Sequence, residues 1–292
     1  MLAHAIEKNV GDNPALEELG TNVARAVHGA VLDGGEPARN AADLLHGTWL
    51  GHPLHPMLTD VTIGAWLFGG MFDLMGLRKG DEASRVAGDR LAAIGTLSAI
   101  PTAVTGLADF STVQKPAAST ATVHAALNAV SVALYGLSLR DRRRGRRRRG
   151  LLLSGSAIAL SSAAAWLGGH LVYAHKVGVD HAERFSGPDE WKPVLDAAEL
   201  PEGTPRCAEL DGKRVLLYRE GLEIYAIGAV CSHAGGPLEE GDFDGHRVQC
   251  PWHQSVFDLR DGTVVHGPST RPQSVFDARV RDGKVEVRLR ES

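Results

Sequence analysis

Two short clusters, Cys231-Ser-His233 and Cys250-Pro-Trp-His253, each supply one thiol and one imidazole, with sixteen residues between them. Two thiolates and two imidazoles can be divided between two metal atoms or gathered on one. Divided, the thiolates hold one iron of a two-iron sulfide cluster and the imidazoles hold the other. Neutral imidazole then removes negative charge and raises the reduction potential above that of an all-cysteine cluster. Gathered, the same four donors could hold a tetrahedral zinc ion. Zinc sites, however, usually pair cysteine with cysteine and histidine with histidine along the chain. One of each per loop favours the iron cluster.

The flanking residues carry a resemblance. Cys231-Ser-His-Ala-Gly-Gly-Pro-Leu238 and Cys250-Pro-Trp-His-Gln-Ser-Val-Phe-Asp258 resemble the two cluster-binding loops of the Rieske [2Fe–2S] family, over about residues 191–290. The resemblance implies that Cys231 and Cys250 hold the inner iron and His233 and His253 the outer, solvent-near one, the electron exit. Ser255 matches the serine whose hydroxyl donates to a cluster sulfur. Gly236 and Trp252 stand where the respiratory type carries a disulfide, and Phe257 stands where high-potential members have tyrosine. Fewer hydrogen bonds to the sulfurs imply a potential low in the Rieske range, as in the small ferredoxins that serve oxygenases. Gln254 replaces the usual glycine, and its side chain is expected to screen one edge of His253. Residues 254–292 contain one histidine, His266, so the mononuclear iron site of a full oxygenase is not expected.

Around the loops, β-rich runs such as Arg214–Tyr218, Ile224–Ile227, Thr263–Val265 and Val285–Leu289 alternate with Gly or Asp-Gly turns. These predict an antiparallel all-β domain, the fold the resemblance also implies. Of the three cysteines, Cys207 is left over. It is expected to be a small buried apolar residue on a strand, and with no disulfide framework the compartment is not readable from cysteine pairing.

The whole-chain net charge of −4 averages two unlike halves. No charged residue occurs in 91–108, in 116–139 apart from His124, or in 150–175 apart from His170 and His175. Such stretches are long enough to cross a hydrocarbon core of about 30 Å, and a soluble bundle would need a polar face at every turn. Met57–Leu77 is a weaker fourth segment, holding Asp60 and Asp73. The expectation is a multidomain chain: an amphipathic segment over 1–45 without a cleavable signal, an all-α four-helix transmembrane bundle over 46–176, a linker over 177–190 and the all-β Rieske domain over 191–292. The match of Gly51-His52-Pro-Leu-His55-Pro, Gly64 and Trp66 to a bacterial family of four-helix membrane proteins, over about 45–175, suggests architecture rather than chemistry.

Residues 140–149 hold eight arginines and residues 77–90 four basic residues, against Lys115 alone in the 2–3 connection. Basic loops stay cytoplasmic, which predicts a multi-pass protein of the bacterial cytoplasmic membrane with its Rieske domain outside. Between two spans the arginine run is read as an orientation signal, not as a nucleic-acid or lipid site. Arg146–Arg149 followed by leucines also looks like an internal twin-arginine export signal.

Alternating helix directions bring His55, Asp109, His124 and His170 toward one membrane face, the one from which the fourth helix leads into the Rieske domain. Ionisable groups in spans default to function. These histidines could hold a haem b, hold a single metal ion, or bind a quinol; interhelical hydrogen bonding is the structural alternative. The other histidines, His4, His28, His46, His181, His246 and His266, are expected at the surface. The function expected is one-electron transfer between a membrane-side donor, quinone or protein, and an unidentified acceptor. The alternatives are a quinol-oxidising or haem-containing oxidoreductase working at the helix–cluster junction and a redox-sensing module.

Overall fold

The computed structural model describes residues 10–11, 13–186 and 190–290, so His4 lies outside the described residues. The chain packs into two compact units. One joins the residues up to Asp33 with Leu54–Val177, the other joins Gly34–Pro53 with the chain from Gly178 onward. The amphipathic segment anticipated over 1–45 is therefore divided between them.

Six α-helices are described: α1 (Pro14–Asp33), α2 (Gly35–His46), α3 (Leu54–Lys79), α4 (Glu82–Phe110), α5 (Lys115–Arg143) and α6 (Arg147–Tyr173). Asn13 caps α1 by accepting from the Ala15 and Leu16 amides, with Pro14 next, where a missing N–H costs nothing. Asp81 does the same for α4 through Ala83 and Ser84. Helix α1 lies on α5, where Gly20 faces Ala118 and Thr122 with no room for a Cβ. By length and composition α4, α5 and α6 can each cross a membrane. That measure finds three spans among the described residues, where the sequence suggested four.

The arginine run is also a packing device. The Arg142 side chain, 2% exposed, donates twice to Asp73 (2.6 and 2.9 Å), once to Asp89 (2.7 Å) and once to Ser154 (2.8 Å). Arg147 joins the same two carboxylates, while Arg146 and Arg149 meet the fully buried Asp141. An arginine fork matched by carboxylates offsets the desolvation that would otherwise exclude charge from this interior.

The second unit contains two antiparallel sheets. The larger orders its strands β1 (Lys192–Asp196), β10 (Lys284–Leu289), β9 (Val275–Arg281), β4 (Glu223–Gly228), β3 (Lys213–Glu220) and β2 (Arg206–Leu210). The smaller runs β5 (Asp242–Asp244), β6 (Arg247–Gln249), β7 (Val256–Asp258) and β8 (Val264–His266). Alternation along β3 sends Leu216 and Tyr218 into a core with Ile227, Val248, Phe257 and Leu259. Val215 and Leu217 enter a second core with Ala226, Phe276, Val285 and Val287. Cys207 lies on β2 as expected but is exposed, contrary to the expected burial, because β2 is the sheet's outermost strand.

Helix α2 belongs to this unit and clasps the chain after β8. The Asp43 carboxylate accepts from the Gly267 amide (2.7 Å) and from His266 Nδ1 (2.8 Å). His266 and His46 are therefore not the surface residues anticipated. His46 is buried at 6% beside Gly267, and His266 sits between Asp43 and Glu36.

Candidate cluster site

Both cysteine–histidine loops sit at strand ends of the second unit, the first between β4 and β5, the second between β6 and β7. They are built alike. The Cys231 amide donates to Gly236 O and the Cys250 amide to Ser255 O, each 2.8 Å and five residues ahead. The Gly235 amide returns to Cys231 O (2.9 Å), the Gln254 amide to Cys250 O (3.1 Å). Such closure needs a left-handed residue at the fourth position after each cysteine, which is Gly235 (φ 82°) in one loop and Gln254 (φ 62°) in the other. Glycine takes this conformation freely; glutamine does so at a cost.

The loops sort the four donors by depth. Cys231 and Cys250 are 1% and 2% exposed, whereas His233 and His253 are half-buried, their rings 4.9 Å apart at 84°. The hydrogen bond from Cys231 lowers the Cys250 thiol to about 7, and the same contact, with burial, pushes Cys231 well above its ordinary value. The amides of His233 and Ala234 donate to Cys231, and those of Trp252 and His253 to Cys250. Paired amides at each sulfur stabilise negative charge there, which an anionic iron–sulfur group requires. A buried sulfur pair beneath an outer imidazole pair fits a two-iron cluster, with thiolates inward and imidazoles outward.

Gly236 is held to glycine by its neighbours: a Cβ there would come within 2.8 Å of Cys250 Sγ and 3.2 Å of the Trp252 ring. The two positions that carry the disulfide in the respiratory type are thus adjacent, filled by a glycine and a half-exposed tryptophan. Ser255, 1% exposed, accepts from the Ser269 amide (3.0 Å) through Oγ, which leaves its own proton to donate. Ser232 and Ser269 join their hydroxyls at 2.6 Å beneath the first loop. Sequence reasoning missed both serines, although Ser232 lies inside the motif. Phe257 is fully buried opposite Val248 and Val264. Arg39 of α2 reaches the Gln254 side chain at 3.4 Å.

In the helical unit the anticipated residues make these contacts. The rings of His55 and His124 lie 6.4 Å apart, whereas His170 stacks on Trp166 and meets His175.

Residues 190–279 match the family model of the Rieske [2Fe-2S] domain, and residues 51–181 match a family described as a predicted membrane protein (DUF2231). The anthranilate 1,2-dioxygenase ferredoxin subunit of Burkholderia cepacia is 35% identical over 100 residues, 34% of this chain and 93% of that protein. The ferredoxin CarAc of Metapseudomonas resinovorans is 35% identical over 98 residues, 33% of this chain and 92% of its own length. Among solved structures, the ferredoxin of carbazole 1,9a-dioxygenase from Nocardioides aromaticivorans IC177 is 30% identical, covering 34% of this chain and 98% of that one, with a TM-score of 0.33.

Proposed function

Since this chain belongs to the Rieske [2Fe–2S] family, we propose that it is a membrane-anchored one-electron carrier, working between a donor on the membrane side and an acceptor protein. The observation that carries this reading is the pair of like-built loops, each presenting one buried sulfur under two amides and one outer imidazole. Cys231 and Cys250 would bind the inner iron, His233 and His253 the outer one. When bound, the [2Fe–2S] cluster takes up one electron and gives it back. The chain's own residues set how readily. Four amides and the Ser255 hydroxyl stabilise the more negative, reduced state, while buried Phe257 adds no further donor. Trp252, half exposed between the loops, gives a partner an aromatic surface beside the imidazoles. The relatives named as dioxygenase ferredoxin components point to a protein as the acceptor.

Parity supports a four-span anchor. Residues 34–53 and the chain from 178 onward fold as one unit, and held on one side of a bilayer they would require the intervening chain to cross an even number of times. With α4, α5 and α6 as spans, α3 is then the fourth. Its 26 residues span about 39 Å. It turns Val61, Leu67, Phe68, Met71, Leu74 and Leu77 outward, as a lipid-facing helix does; of its two carboxylates, Asp73 is buried and paired with Arg142, while Asp60 is exposed near the helix start. The basic 1–2 and 3–4 loops then orient the cluster unit away from the cytoplasm.

Iron, sulfide and electron paramagnetic resonance measurements on the detergent-purified chain test the cofactor. Two irons and two sulfides per chain with a Rieske-type reduced spectrum are expected; anaerobically purified protein carrying zinc and no iron would refute the reading. Reporter fusions after the C-terminus and within 111–114 test the orientation, an extracytoplasmic signal being expected from both. A cytoplasmic signal from both reverses the orientation.

A further inference from the structure

Helix α2 turns its polar side to the protein. Glu36, Arg39, Asp43 and His46 recur at helical spacing and face the rest of their unit. His266 lies between Glu36 and Asp43, at 3.6 and 2.8 Å. Arg39 reaches Gln254, and the buried His46 ring lies beside Gly267. At 3.6 residues per turn, Pro37, Ala41 and Leu44 fall on the other side, and all three are exposed. Leu44 is 58% exposed, and the turn that follows adds Trp49 at 62% and Leu50 at 37%. A helix on a water-facing surface is arranged the other way, apolar side in and polar side out.

The turn after α2 also satisfies its own backbone. Gly47, left-handed at φ 80°, ends the helix and donates to Asp43 O and Leu44 O. The Thr48 hydroxyl donates to Asp43 O at 3.0 Å and Trp49 Nε1–H to Leu44 O at 3.3 Å. The Leu50 amide returns to Gly47 O at 2.9 Å and the Gly51 amide to Thr48 O at 3.2 Å. In water the last carbonyls of a helix can be left to solvent. Where water is scarce each needs a donor from the chain, and here even the indole supplies one.

Position names the occupant. Leu50 precedes Leu54, the first residue of α3, by four residues, at most about 14 Å of chain. The chain leaves the second unit at Pro53 and returns to it at Gly178. These two residues are neighbours, since a Cβ on Gly178 would lie 3.5 Å from Pro53 Cγ. Two tethers side by side leave the tilt of a unit open, and the apolar stripe runs up to that same point.

We propose that Pro37, Ala41, Leu44, Trp49 and Leu50 form a lipid-facing surface that lays the C-terminal end of α2 in the boundary between headgroups and acyl chains. Tryptophan and leucine suit that layer, whereas Glu36 stands at the other, N-terminal end of the helix, where water reaches it. This surface rests on the membrane-anchored, four-span reading above and deepens it. The polar side of the same helix holds Gly267 and Gln254, the residue after His253. Docking on lipid therefore fixes the second cluster loop at one height over the leaflet, at a constant distance from a donor in that membrane.

The full chain reconstituted in phosphatidylcholine liposomes tests it, with tryptophan emission read as the difference between wild type and Trp49→Phe. That difference, the Trp49 signal, should be quenched several-fold when the acyl chains carry bromine near the headgroup, and little by iodide in the water on both faces. Leu44→Asp together with Leu50→Asp should reverse the two, with the circular dichroism and cluster spectrum of wild type. Iodide quenching of the Trp49 signal in the otherwise unchanged chain would put the surface in water, and quenching by neither agent would put it against protein. Either overturns the proposal, as does wild-type quenching in the double variant. A chain that does not float with the liposomes refutes the membrane anchor and this surface with it. A chain without iron that still shows the lipid quenching refutes the cluster and supports the surface.

Discussion

The two like-built loops draw all four candidate donors from residues 231–253, at one set of strand ends, whereas the facing pairs of the bundle, His55–His124, Trp66–Tyr135 and Asp73–Arg142, join residues of separate helices. In the loops, two backbone turns of one geometry bring the donors together, and each sulfur receives amides from its own turn. In the bundle no local turn positions anything. Helix packing brings the pairs face to face, and each member depends on a partner many residues away. A local site should therefore fail by losing its ligand while the fold survives, and a distributed one by losing the fold.

Cys250→Ala should show the first behaviour in full: iron falls to background with far-ultraviolet circular dichroism retained, because one donor of four is gone while the turn remains. His253→Cys should keep a cluster of lower potential, since thiolate adds charge where imidazole was neutral. Arg142→Met should show the second. It leaves buried Asp73 with Arg147 alone, at 3.1 Å, and breaking one side of a buried ion pair costs about 3–5 kcal/mol, with the low end expected where a second partner remains. Unfolding of the solubilised protein should shift accordingly, and adding Asp73→Asn should recover much of the loss.

Asp43→Ala tests the clasp, which lies between these extremes. Removing a carboxylate that accepts from His266 and Gly267 costs about 1.5–3 kcal/mol, read as faster amide exchange across 35–50 with the strands of the second unit unaffected. Phe257→Tyr is gentler. If its hydroxyl reaches a cluster sulfur, a bond worth about 1 kcal/mol more to the reduced state raises the potential by about 40 mV. An unchanged potential would mean that the phenol does not reach. Smallest is Gln254→Gly. It relieves a left-handed glutamine at φ 62°, so the second unit should gain about 1 kcal/mol in thermal unfolding. A loss would mean that the Arg39 contact outweighs the strain.

The same contrast governs what the sequence reveals. The pairing of the Cys231–His233 and Cys250–His253 loops was legible because a loop site records its residues as short spacings, and the alternation around them told strand from helix. The clasp was not legible, since Asp43 and His266 form no pattern until the fold joins them. The facing pairs of the bundle were hidden by complementarity: Trp66 meets Tyr135 and Asp73 meets Arg142, unlike residues 69 positions apart that no spacing rule pairs. Cys207 was misjudged because strand propensity does not tell an outermost strand from an inner one.

The clasp also sets an order of assembly. Asp43 leaves the ribosome long before His266 and Gly267, which follow 223 and 224 positions later, after every helix of the bundle. Until then α2 lacks this partner, and closing so long a loop carries a large entropic cost. Its docking is therefore expected late in folding. Protection of residues 35–50 would report that the β unit is finished as far as the end of β8.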